Sequence, residues 1–119
     1  ILIPVYNTAF YLADCFNSVI NQSYQDFEVI VIDDGSTNES AQICDEWAKK
    51  YAQIKVFHQE NQGLIAARRE GWKHAVGEWM MFLDSDDMLP KDSLKTLHAA
   101  AEHTDMVIGA CGGGDVLLR

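Results

Sequence analysis

Short runs rich in Ile, Val and Phe alternate with longer segments whose apolar residues recur every three or four positions. No other feature of the chain restricts its fold as much. Residues 1–5 form an apolar run predicted as a buried strand. Asn7 and Thr8 then offer cap chemistry, and Leu12, Phe16, Val19 and Ile20 predict an amphipathic helix over about residues 9–22. "FEVIVIDDGS" (27–36) is a β-branched strand stopped by Asp33, Asp34 and Gly35. "STNESAQICDEWAKKYA" (36–52) follows with cap candidates Ser36, Thr37 and Asn38 and with Ile43, Trp47 and Tyr51 on one face, a second helix.

The alternation continues to the end. "IKVFHQ" (54–59) is a third strand. "GLIAARREGWKHAV" (63–76) is a third helix with a small-residue ridge at Ala67 and Gly71, and Gly77 is expected to end it. "EWMMFLD" (78–84) is a fourth strand, "PKDSLKTLHAAAEH" (90–103) a fourth helix with Pro90 near its first turn, and "DMVIGA" (105–110) a fifth strand. Parallel strands need long crossovers, and helices supply them. The order therefore predicts a three-layer α/β/α fold, Rossmann-like, around a mostly parallel sheet.

That topology gives the acidic residues a place. In open sheets of this kind, ligands bind beyond the carboxyl ends of the strands. "PVYN", Asp33/Asp34 and "DSDD" (84–87) all fall at such ends. Two carboxylates at about 4 Å repel by roughly 4 kcal/mol at an effective dielectric of about 20. A cluster like Asp84, Asp86 and Asp87 is tolerable where it holds a hard cation, and oxygen ligands suit Mg²⁺ or Mn²⁺ shared with substrate phosphates. For Asp87 a simple turn or helix cap explains the residue equally well.

Charge and composition remove other classes. A net charge of −9, from 18 acidic and 9 basic residues, does not draw in nucleic acid by long-range field. No apolar run is long enough to span a bilayer. Cys15, Cys44 and Cys111 are odd in number and lack C-x-x-C spacing, which points to buried thiols and a reducing cytoplasm. His58, His74, His98 and His103 share no ligand spacing and are expected on surfaces or helix faces; Trp47, Trp72 and Trp79 are expected in the core. The chain starts inside an apolar run and ends "GACGGGDVLLR", which suggests a fragment, with a loop missing near Gly112–Gly114.

The segments "IPVYN", "SVINQSYQDFEVIVIDDGSTNES" and "NQGLIAARREGWKHAVGEWMMFLDSDDML" together resemble the donor-binding half of the family 2 glycosyltransferases, which have the GT-A fold of nucleotide-diphospho-sugar transferases. The resemblance runs from Ile1 to about Gly109. It implies an inverting, hexosyltransferase-type enzyme that moves a sugar from a nucleotide-diphosphate donor, a UDP-sugar by expectation, to a hydroxyl of a saccharide or lipid-linked acceptor. It implies Mn²⁺ or Mg²⁺ as cofactor and a role in cell-wall or polysaccharide synthesis, in the cytoplasm or at the inner face of the membrane.

The same resemblance distributes roles. Pro4, Val5 and Tyr6 match the segment along the nucleotide base, with Tyr6 a stacking platform. Asp34 matches a carboxylate that accepts a pyrimidine N–H, while Asp33 shapes the turn. Gly63 and Arg68 match the "NxGxxxARN" stretch beneath the donor. Asp84 and Asp86 match the D-x-D motif, Asp86 as metal ligand and Asp84 near the ribose or the metal. Arg69 departs from the family's Asn. No segment matches the acceptor half, where the family keeps its general base, and Asp115 is a poor candidate. Residues 1–119 are thus expected to be a single donor-binding domain of a longer glycosyltransferase. The alternatives are a nucleotide-sugar binding module without turnover, or a receiver-like phospho-acceptor domain. A receiver, however, should carry its acidic pair after the first strand and an Asp after the third, where this chain has "FHQEN".

Overall fold

The computed structural model describes residues 1–102, Thr104, and the backbone of 107–111 and 114–118. Strand β1 (Leu2–Val5) and strand β2 (Val29–Asp34) are buried along their whole length, and β3 (Ile54–Gln59) completes a parallel sheet of order β1-β2-β3. β2 is central, with Val31 opposite Ile3 on one side and Val56 on the other. Burial on both faces is why "VIVI" is continuously apolar rather than alternating.

Successive residues point to opposite faces. Ile3, Val5, Val29 and Val31 pack with Leu12, Cys15, Phe16 and Val19 of helix α1 (Ala9–Ile20), with Cys44 of helix α2 (Ser40–Lys50), and with Leu94 and Leu97 of helix α4 (Ser93–Ala101). Ile30 and Ile32 pack on the other face with Ala67 of helix α3 (Leu64–His74). α3 alone crosses to that face because the chain reverses there, from β3 at one side of the sheet to the 81–83 segment beyond β1. With right-handed crossovers, a reversal places the connecting helix on the opposite face. The ridge at Ala67 and Gly71 permits its close approach: a Cβ on Gly71 would lie 2.5 Å from Leu2 side-chain atoms.

Two expected strands differ. The 78–84 run does lie parallel to β1, but only one bridge forms, Leu2 opposite Phe82, with Leu2 N–H bonded to Met81 O and Leu83 N–H to Leu2 O. Leu2 turns both backbone groups to that side, so the next donor facing it would be residue 4. Pro4 has no N–H, and the ladder stops. The fifth run is corrected as well. β4 (Val107–Cys111) pairs antiparallel with β5 (Gly114–Leu118) in a separate two-stranded sheet instead of joining the parallel one. Antiparallel neighbours can be joined by a very short connection, which sequence alternation does not reveal. Gly112, Gly113, Asp105 and the side chains of Cys111 and Asp115 lie outside the described residues.

Smaller corrections follow from local geometry. α3 ends at His74 with an extended Ala75 as its cap, so Gly77 does not terminate it. Trp72 is exposed rather than in the core, whereas Trp47 and Trp79 pack against the main cluster. His74 stacks on Phe57 and His98 on Tyr24, while His103 lies outside the described residues.

Candidate functional site

Four loops meet at the carboxyl edge of the sheet. They enclose a pocket of about 290 Å³ lined by Pro4, Val5, Tyr6, Thr8, Asp34, Asn61, Gly63, Leu64, Ala67, Asp84, Ser85 and Asp86. It opens between the end of β1 and the end of the 81–83 segment, where the sheet order reverses. This is the switch-point crevice of an open α/β sheet. Seven of the residues singled out from sequence stand on its wall. The eighth, Arg68, sits beneath: its guanidinium lies 5.4 Å over the Phe82 ring with Nη2 3.6 Å from Asp84 Oδ1, and its buried Nε has no hydrogen-bond partner among the described residues. Arg69 is exposed.

Polar side chains tie the loops to one another. Asn7, held at φ 53°, donates its N–H to Ser36 Oγ and accepts the backbone N–H of Thr37 at 2.8 Å and of Asn38 at 3.3 Å. Thr8 and Ser85 share a hydroxyl hydrogen bond of 2.8 Å, which joins the loop after β1 to the acidic loop. Neither Asn7 nor Thr8 acts as the side-chain cap expected of it. Asn38 does serve the start of α2, accepting Ser40 N–H at 2.9 Å.

Asp34 is 3% exposed, and its carboxylate organises the loop after β3. Oδ1 accepts Gln59 Nε2 at 2.8 Å and Gln62 N–H at 2.9 Å; Oδ2 accepts Gly63 N–H at 2.9 Å and Asn61 Nδ2 at 3.3 Å. A carboxylate has about four lone-pair directions, and all four are used. Gly63 has φ 95° with open space around its α-carbon, so its backbone conformation requires glycine. At Gly35 both demands coincide: φ is 72° and a Cβ would meet Asn61 N at 2.6 Å.

Asp33 faces the other way. It accepts Ser36 N–H at 3.1 Å, which is the turn-shaping role expected of it, and receives His58 Nδ1 at 2.8 Å. His58 Nε2 meets Asp45 at 2.7 Å. The hydrogen bond to Asp33 above all, against some burial, raises the His58 pKa, with Asp45 adding to it. A histidine bridging two carboxylates was not visible in the sequence because Asp33, Asp45 and His58 show no common spacing.

The acidic loop holds Asp84, Asp86 and Asp87 with carboxylate oxygens within 4.8 Å of one another. Such a pair repels by roughly 3–4 kcal/mol at a dielectric of about 20 and by under about 1 kcal/mol in bulk water. Asp84 and Asp86 are exposed, so the true cost lies toward the lower end. Burial, then Asp86 and Asp84, raises the Asp87 pKa. Burial and the same three carboxylates push the Cys15 thiol up to about 12. Three carboxylates and no softer donor fit a hard cation such as Mg²⁺ or Mn²⁺. Asp87 belongs to this cluster and closes a turn onto Asp84 O at 3.0 Å; the N-cap of α4 is Asp92.

A larger cavity of about 450 Å³ lies at the amino edge of the sheet, lined by Tyr24, Glu28, Trp79 and His98 among others. It shares no residue with the crevice.

The model of the family described as Glycosyl transferase family 2 matches residues 1–116. The chain belongs to that family. Among curated relatives, glycosyltransferase GlyG of Streptococcus pneumoniae is 38% identical over 112 residues, covering 92% of this chain and 37% of its own length. EpsH of Bacillus subtilis is 43% identical over 109 residues, covering 91% and 32%. The chain thus spans about a third of the length of these two relatives. Among solved structures, Staphylococcus aureus TarS 1–349 in complex with UDP-GlcNAc superposes with a TM-score of 0.81 at 32% identity, over 95% of this chain and 35% of that one. A mannosyltransferase of Pyrobaculum calidifontis in complex with GDP-Man and Mn²⁺ has a TM-score of 0.79 at 22% identity, a likeness of fold. The fold is GT-A, and the receiver-like alternative falls away. Sequence reasoning had not assigned Thr8, Asn61, Leu64, Ala67 or Ser85 to the pocket. All but Thr8 stand inside the quoted motifs, and that position was the available signal.

Proposed function

We propose that residues 1–119 form the donor-binding part of an inverting glycosyltransferase of hexosyltransferase type. Its donor is a UDP-sugar bound with Mn²⁺ or Mg²⁺, and its acceptor is a hydroxyl of a saccharide or lipid-linked molecule. The observation that carries this reading is the convergence in one crevice of the loop after β1, Asp34 with Gly63, and the Asp84/Asp86 pair. The complex of TarS with UDP-GlcNAc, at 32% identity, supports the choice of base.

Tyr6 is 47% exposed at the pocket wall and offers a ring face to a base. Asp34 can accept a pyrimidine N–H only by releasing a present donor. The weakest is Asn61 Nδ2 at 3.3 Å, which keeps its bond to Asp34 O at 3.0 Å when it lets go. The start of α3 at Gly63 and Leu64 lines the same pocket, with the Gly63 N–H bonded to Asp34 and so holding the carboxylate that reads the base. Arg68 Nη2, 3.6 Å from Asp84 Oδ1, offsets part of the charge on Asp84 and leaves Asp86 the freer carboxylate of the pair. Asp86 with Asp84 would hold a divalent cation, and the chemistry it would supply there is Lewis-acid compensation for charge on the departing diphosphate. The general base that takes the acceptor proton comes from beyond these residues. No described helix is long and apolar enough to cross a membrane. We place the domain on the cytoplasmic side because its buried cysteines Cys15 and Cys44 are free thiols, which suits a reducing compartment.

The test is calorimetric titration of UDP with and without Mn²⁺, on the parent sequence and on Asp86→Ala. The variant should lose most of the Mn²⁺-dependent gain, and GDP should compete less well than UDP. Equal affinity of variant and parent would remove the metal role; tighter GDP binding would remove the base assignment.

A further inference from the structure

The acidic loop keeps its three carboxylates together against their own repulsion, so something must hold its backbone. The entry is held by Leu83 N–H on Leu2 O and by the Thr8–Ser85 hydroxyl pair. The exit is held from α1. Ser18 Oγ donates to Cys15 O at 2.7 Å and accepts Leu89 N–H at 2.9 Å, which uses the hydroxyl in both senses. One helical turn on lies Gln22, 3% exposed. Its Nε2 donates to Ser18 O at 3.0 Å and to Pro90 O at 2.7 Å, and its Oε1 accepts Leu94 N–H at 3.0 Å.

The last of these bonds answers a question about α4. The N-cap residue of that helix, Asp92, makes no side-chain cap bond. The first N–H groups of a helix have no partner within it. Gln22 supplies the acceptor from just past the end of α1, some seventy residues earlier in the chain. A single buried amide therefore fixes both the carbonyl that closes the acidic loop and the helix that the loop runs into. Ser18 lies in the last turn of α1 and Gln22 two residues beyond its end, tied together by the bond from Gln22 Nε2 to Ser18 O.

We infer that Gln22, with Ser18, is a positioning residue for the carboxylates of Asp84, Asp86 and Asp87, setting the loop geometry on which cation binding depends. The inference rests on the proposed metal role of Asp86. Groups that orient metal ligands typically change metal affinity by about 10–100-fold when removed.

The experiment uses the full-length protein and reads UDP affinity at saturating Mn²⁺ and in EDTA. Gln22→Leu keeps apolar volume and deletes all three side-chain bonds; Ser18→Ala deletes the grip on Leu89 and the local bond to Cys15 O and keeps the variant close to native should Gln22→Leu fail to fold. Each variant that folds should lose about tenfold or more of the Mn²⁺-dependent gain, while its affinity in EDTA stays at the parent value. Amide exchange of Leu89 in Ser18→Ala, and of Leu94 in Gln22→Leu, should quicken in step. A purely structural role would lower thermal stability and leave the ratio of the two affinities unchanged, and that result overturns the inference. Asp86→Ala separates the two levels. If it keeps the Mn²⁺ gain, the metal reading fails and the positioning role falls with it. If it loses the gain while Ser18→Ala and Gln22→Leu keep theirs, only the positioning role fails.

Discussion

Replacing Asp34 by Asn tests how the crevice is built, because the change preserves shape and removes charge. Asp34 accepts two side-chain amides and two backbone N–H groups, those of Gln62 and Gly63, each at 2.9 Å. An asparagine offers one oxygen and one NH₂ group. Whichever way it turns, one backbone N–H keeps an acceptor and the other faces a donor. The oxygen replaced also accepted one side-chain amide, which can turn its own oxygen to the new NH₂ group; the backbone bond lost outright is of the charge-assisted kind, worth about 1.5–3 kcal/mol, and the remaining bonds weaken with the charge. Residues 60–63 are exposed, so the released groups find water, and the cost stays near that single-bond range instead of doubling. For a domain of about this size, each kcal/mol shifts Tm by roughly 4–8 °C. Asp34→Asn should therefore lower Tm by roughly 6 °C or more, quicken amide exchange at Gln62 and Gly63 ahead of the β2 amides, and weaken UDP binding. Differential scanning calorimetry and amide exchange followed by NMR check this. Unchanged exchange at both amides, with Tm within about 2 °C of the parent, would refute the claim that this carboxylate organises the loop.

Gly71→Ala gains about 1 kcal/mol of helix propensity but drives a methyl group to 2.5 Å from buried Leu2, and overpacking of about 1–3 kcal/mol should win; a raised urea midpoint would show that the α3–β1 contact is looser than the structure has it. His58 has a raised pKa, so its contribution to stability is complete below about 6.5, the ordinary value, and is lost as pH rises through the folded-state value. The stability gap between parent and His58→Gln should accordingly be larger at pH 5.5 than at pH 8.5 by chemical denaturation, and an equal gap would place the bonds to Asp33 and Asp45 outside the titration. Residues 1–119 alone should bind a nucleotide sugar but show little acceptor-dependent UDP release beside the full-length parent, since general-base help is typically worth about 10²–10⁴-fold; transfer at the parent's rate would locate the base within these residues, Asp87 and Asp115 first.

Elements with a period were legible in the sequence. Leu12, Phe16 and Val19 mark the buried face of α1, the unbroken "VIVI" marks a strand covered on both faces, and Ala67 with Gly71 marks where a helix comes close. The carboxyl edge of the sheet collected "PVYN", Asp34 and the D-x-D by connectivity alone, since a parallel strand followed by a helix always delivers its end to the same edge. What the tertiary structure alone decided has long separations and no period. Pro4 cuts short the pairing of the 78–84 run, because only the register shows which neighbour needed its missing N–H. Asp34 spends its carboxylate on residues 59–63, twenty-five to twenty-nine positions away, and Gln22 reaches sixty-eight positions to Pro90. Buried polar groups must find partners, but nothing local says which, because the partner is set by how the layers pack and not by the residues on either side.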